Sequence, residues 1–175
     1  MKHKFFLATA MIVTCSIMIS AFVPKPFAYT FSSITPELGE VKDKLELSQA
    51  IFQTKGKTST TSSSYTISNA KSLVRIKIND AVFQSLDNSN SYLSPSDNIS
   101  LYKLSSGKTS RSFVINTDGT TNAALILVNF IPTETRTYTK MAPAQALIPG
   151  EYAFVDLSTK TADGNITVWT FGIDN

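Results

Sequence analysis

The chain has 175 residues, with 16 basic and 13 acidic side chains, a formal charge of +3, one His and one Cys. That length is one domain's worth. The basic balance, the His and the Cys all trace to the N-terminus. Lys2, Lys4, Lys25, His3 and Cys15 precede Ala28, and every acidic residue follows it.

Lys2-His3-Lys4 forms a charged start, Phe5 to Val23 runs without a charge, and Pro24-Lys25-Pro26 breaks the run. This is the pattern of a secretory signal peptide over residues 1–28, read as a helix, with Ala28 or Ala21 as cleavage points. The run is also just long enough to span a bilayer, so a retained anchor is the alternative. A lipoprotein reading of Cys15 fits poorly, because Thr14 is bulky and the chain stays apolar afterwards. Cleavage would leave 13 basic against 13 acidic residues, a neutral domain with no electrostatic claim on nucleic acid. It would also leave no imidazole and no thiol, which excludes Ser-His-Asp and Cys-His hydrolysis and any nitrogen or sulfur metal ligand. No cofactor is expected. An exported chain without disulfides must rest on its hydrophobic core, and about 147 residues bury enough surface for that.

Residues 29–63 read as a lead-in and a polar loop. Glu40 to Phe52 alternates at Leu45-Glu46-Leu47 and leans to strand. Thr54 to Ser64 is Ser/Thr-rich and reads as a loop or link. From residue 64 to 175 the period is two. Val74, Ile76 and Ile78 share one face, with Arg75 and Lys77 on the other. Asp87 to Asp97 is a long polar loop. Ile99–Leu104 and Arg111–Asn116 flank Ser105-Ser106-Gly107-Lys108, a hairpin with Gly107 expected at positive φ. Ala123 to Ile131 is apolar on both parities and is expected to be a central strand covered on both sides. Thr135 to Met141 is strand-like.

The final stretch closes the pattern. Leu147-Ile148-Pro149-Gly150 reads as a type II turn with Gly150 at positive φ. Tyr152–Val155 and Ile166–Ile173, joined by Ala162-Asp163-Gly164-Asn165, read as a hairpin. Eight or nine short strands and no βαβ alternation predict an all-β, antiparallel β-sandwich.

The segments Ser96 to Lys103, Tyr138, Leu147-Ile148-Pro149-Gly150-Glu151-Tyr152-Ala153-Phe154 and Trp169-Thr170-Phe171-Gly172-Ile173-Asp174 follow a recurring order. Over residues 64 to 174 the chain resembles the C-terminal module of secreted bacterial proteins of unknown function that end in this Pro-Gly-Glu-Tyr hairpin and Phe-Gly-Ile/Val-Asp tail. More distantly, the turn is similar to one in bacterial immunoglobulin-like and transthyretin-like surface domains. The resemblance implies such a sandwich and carries no catalytic residues.

Each chemical candidate has a plainer reading. Glu151 could act as an acid or nucleophile opposite Asp156, Asp163 or Asp174, as in a two-carboxylate glycosidase. The turn before it explains its position without chemistry. Asp87, Asn88, Asn90, Asp97 and Asn98 offer hard oxygen ligands, but lack the Gly and distal Glu of the calcium-loop pattern. Trp169 and Phe171 share one side of a strand, as do Tyr152 and Phe154, which suits either a sugar-stacking platform or a sandwich core. Lys103, Lys108 and Arg111 read as a small, solvated basic hairpin tip. The expected protein is exported, periplasmic or secreted, and non-catalytic, with a binding or structural role at the cell envelope. Trp169, Tyr152 and Glu151 are the candidate ligand-binding residues, and the partner is an envelope protein or glycan. Nucleic acid is not expected, nor membrane except through an uncleaved N-terminus. The alternatives are a carbohydrate-active hydrolase using carboxylates, or a glycan-binding module.

Overall fold

A computed structural model of the chain describes residues 29–34, 41–53, 61–78, 81–87, 98–120, 122–132 and 138–174. The expected signal helix over 1–28 and most of the Asx-rich loop, with Asn88, Asn90 and Asp97, lie outside the described residues. Within them the elements are thirteen strands and a 3₁₀ turn at Leu157–Thr159. No helix there is long and apolar enough to cross a membrane. The protein is all-β.

Strands β1 (Tyr29–Ile34), β2 (Val41–Lys44), β6 (Phe83–Asp87), β10 (Val128–Pro132) and β11 (Tyr138–Pro143) form a five-stranded sheet in the order β10-β11-β6-β1-β2. The other sheet runs from β12 (Gly150–Asp156) through β13 (Ile166–Asp174), β3 (Glu46–Gln53), β4 (Ser62–Ser68) and β8 (Ser110–Asn116) to β7 (Ile99–Ser106). Because β7 also pairs with β12, this sheet closes on itself as a six-stranded antiparallel barrel. Two short strands attach to it: β5 (Arg75–Lys77), parallel to β13, and β9 (Leu125–Ile126), beside β7. The expected immunoglobulin-like or transthyretin-like sandwich gives way to a barrel with a second sheet laid on its wall. Local patterns show paired strands, whereas closure depends on the long-range Glu151–Leu104 to Asp156–Ile99 register.

Alternation of side chains along each strand builds two cores. One fills the barrel, with Tyr65, Ile67, Phe113, Val155 and Val168 among its residues. The other lies between barrel wall and sheet, around Phe31, Phe83, Phe154, Trp169 and Phe171. Strands β12 and β13 serve both, so they are buried on both faces.

Several local expectations change. The C-terminal hairpin forms as read, with Tyr152 opposite Phe171 and Phe154 opposite Trp169. The run Ala123 to Ile131 is not a central strand. It leaves the barrel as β9, changes layer at Leu127 and enters the sheet as its edge strand β10, so Leu127 is 73% exposed and Ile131 48%. An apolar run on both parities reports two half-buried strands here. Gly107 does not take positive φ; its N–H donates to Ser110 O at 2.7 Å. Gly150 does take positive φ, at 156°, which favours glycine, but this is not the value of a type II turn, and the residue opens β12. The demand for glycine is sharpest at Gly164, at φ 82° in the β12–β13 connection, where a Cβ would also lie 3.1 Å from the Phe52 ring.

Candidate functional site

One mouth of the barrel holds a cluster of charged side chains. Strand alternation puts them there: Glu151 shares parity with Ala153 and Val155, Arg111 with Phe113 and Ile115, and Thr170 with Val168 and Ile166. All three are buried, and Arg111 has no exposed surface at all.

Arg111 is bound on every side. Its Nε and Nη2 donate to the carbonyls of Asn69 and Ser68 at 3.1 and 3.3 Å, and its Nη1 donates to Glu151 Oε2 at 3.4 Å. Glu46 Oε2 stands 4.0 Å from Arg111 Nη2. Above the guanidinium, residues 69–78 run from the end of β4 across the mouth to β5. Ser72 N–H donates to Glu151 Oε2 at 2.7 Å, while Ser72 Oγ and Leu73 N–H donate to Glu46 Oε2 at 2.5 and 3.0 Å. Thr170 Oγ1 donates to the same oxygen at 3.0 Å. Arg75 Nη1 donates to Glu151 Oε1, and its Nε and Nη2 donate to Asp174 at 3.2 and 2.5 Å. Gly172 N–H donates to Val74 O at 2.9 Å. A Cβ on Gly172 would overlap the Arg75 guanidinium, so a side chain there would push the flexible end of Arg75 off its carboxylates.

Burial alone would raise the Glu46 pKa. Hydrogen bonds from Ser72, Leu73 and Thr170 and the charge of Arg111 outweigh it and hold the carboxyl below its ordinary value. The Arg75 hydrogen bonds lower Asp174, with the charges of Arg75 and Lys71 adding to the effect. Arg75 is raised in turn, chiefly by Asp174 and then by Glu151. Three carboxylates thus face two guanidiniums and one nearby ammonium. Such a set ties segments together; a general acid needs a carboxyl held protonated, and Glu46 is pushed the other way.

The candidates from the sequence separate. Glu151 is at the centre of the cluster. Of its possible carboxylate partners only Asp174 comes close, through Arg75. Asp156 lies at the far end of β12 on the opposite parity, where its Oδ1 accepts from Ser158 N and Oγ at 2.9 and 2.6 Å. Asp163 is exposed in the connecting loop. Trp169 and Tyr152 are 2% and 1% exposed and belong to the interlayer core. Trp169 sits 4.6 Å from the Phe31 ring, while Tyr152 stacks on Phe171 at 5.5 Å and donates its hydroxyl to Ile148 O at 2.6 Å. Neither ring forms a flat exposed face. Burial pushes the Tyr152 phenol up, with the Ile148 hydrogen bond acting against it.

Arg111 is a correction. It is not part of a solvated hairpin tip, since that tip is Gly107 to Thr109 and Arg111 points into the barrel. The signal was present, because in Ser110–Asn116 it occupies the parity of Phe113 and Ile115. Glu46, Arg75 and Ser72 had no such mark. Among the described residues no group of three or more acidic, His or Cys side chains could hold a metal. An open hollow of about 240 Å³ lies elsewhere, between Ile78, Val82, Pro143 and Leu147.

No family model, curated protein or solved structure matches the chain.

Proposed function

We propose that the protein is an exported, non-catalytic β domain with a binding or structural role at the cell envelope or outside it. The observation that supports this reading is the charged cluster itself. Glu151, the carboxylate best placed for chemistry, is spent on Arg75, Arg111 and the Ser72 amide, and so contributes to architecture. Trp169 and Tyr152 likewise serve the framework, packed in the interlayer core. The sandwich-like layering of sheet on barrel wall leaves loops and sheet edges as the surface for an envelope protein or glycan.

A hydrolase using two carboxylates is the second reading, favoured by one observation: Glu46 and Glu151 both reach Ser72 and so stand side by side. A test separates the two. The purified protein is incubated with a polysaccharide and peptidoglycan panel, and both bound fraction and released reducing ends are measured. Saturable binding without turnover is the expected result. Turnover abolished in Glu151→Gln would establish the hydrolase instead. Intact mass of the exported protein, expected to lack residues 1–28, checks the leader.

A further inference from the structure

We infer that residues 69–73 form a strap across the barrel mouth that acid releases as a unit, while the barrel beneath stays closed and β5 stays paired to β13. The apolar anchorage begins only at Val74, Ile76 and Ile78, which pack on the interlayer core; before it Leu73 is 84% exposed, and Ser72 bonds to Glu46, Glu151 and Thr170. What holds the crossing is a set of hydrogen bonds to carboxylates on other strands. Glu46 of β3 takes Ser72 Oγ and Leu73 N–H, Glu151 of β12 takes Ser72 N–H and Arg75, and Asp174 of β13 takes Arg75. The charged groups facing them are Arg111 from β8, Arg75 from β5 and Lys71 from the strap itself. The barrel strands are held by ladder hydrogen bonds and by Tyr65, Phe113 and Val168, none of which titrates in acid. Two parts of one molecule therefore have different pH responses.

The sign follows from the carboxyls. Glu46 and Asp174 sit below their ordinary values of 4.5 and 3.8 in the folded state. Their contribution is complete above those values and is lost as pH falls through the lowered ones. Protonation removes the charge that the strap's donors and Arg75 bind. Opening then brings water to Arg111 and Glu151, and the strap becomes a sub-global opening unit.

Amide hydrogen exchange on the full-length protein, corrected for intrinsic rates, tests this at pH 7 and in acid. The expected result is that Glu46→Gln at pH 7 lowers protection at Ser72 and Leu73 by about tenfold or more, with Tyr65 and Phe113 amides unchanged. Wild type in acid should reproduce that pattern. Asp174→Asn, an exposed change on the other side of Arg75, should lower protection at Ser72 and Leu73 by a smaller factor, again with the Tyr65 and Phe113 amides unchanged, and it decides the matter if Glu46→Gln does not fold. Unchanged strap protection in acid and in the variants would overturn the inference. So would loss of protection in strap and barrel together.

Discussion

The barrel interior and the interlayer core share two walls, β12 and β13, yet they are filled differently. On the inward side of β12 stand Ala153 and Val155, and on its outward side Tyr152 and Phe154. Eight strands leave an interior just wide enough for side chains, so six leave less, and alanines at 50 and 153 fit that narrower space. Packed sheets sit about 10 Å apart, a gap that rings bridge. Phe154 stacks on Phe31 at 5.0 Å and meets Phe83 edge-on at 5.1 Å, while Phe83 lies 4.7 Å from Phe171. The barrel's bulk comes from other strands, as Tyr65, Tyr102 and Phe113, so the small inward residues of β12 make room for rings opposite them. The barrel has a second difference: at one mouth its apolar filling ends and ion pairs take over.

The largest effect should come from emptying the interlayer core. Phe154→Ala removes a ring touching both sheet and barrel and should cost about 3–5 kcal/mol in denaturant unfolding. Glu151→Ala should come next, at about 3–4 kcal/mol, because it strands Arg111 as a buried charge without its carboxylate. A smaller loss with Glu151→Ala than with an exposed acid such as Asp163→Ala would show that the ion pairs do not close the mouth. Overfilling should hurt the barrel more than the gap: Ala153→Leu is expected to lose about 1–3 kcal/mol, since the barrel cannot widen. The smallest effect belongs to Gly172→Ala, at about 1–2 kcal/mol, through displacement of Arg75 from its carboxylates. That substitution should become nearly neutral in an Arg75→Ala background, and additive losses there would refute the contact.

Much of this division was legible as parity. Tyr152 with Phe154, and Trp169 with Phe171, occupy the same sides in the fold that they share in the sequence, and core was the outcome. The half-buried strand β8 is equally plain, whereas β4 begins inside the stretch read as a Ser/Thr-rich loop. Closure was not legible, because pairing β7 with β12 joins positions some fifty residues apart with no local mark. The layer change at Leu127 was hidden for a different reason: adjacent half-strands facing different cores look like one fully buried strand. Within the charged cluster, Glu151 was found from its turn and Arg111 could have been found from its parity. Ser72 could not, because its role is a backbone N–H and a hydroxyl aimed at carboxylates from two other strands.

The shared wall has a consequence for biogenesis. A nascent chain made only as far as Asn165 has β12 but not β13, so it lacks the strand that joins β12 to β3 and carries Val168 inward and Trp169 and Phe171 outward. Neither hydrophobic interior can assemble from such an intermediate, however much of the polypeptide has emerged. Closure of both interiors must therefore await synthesis of β13.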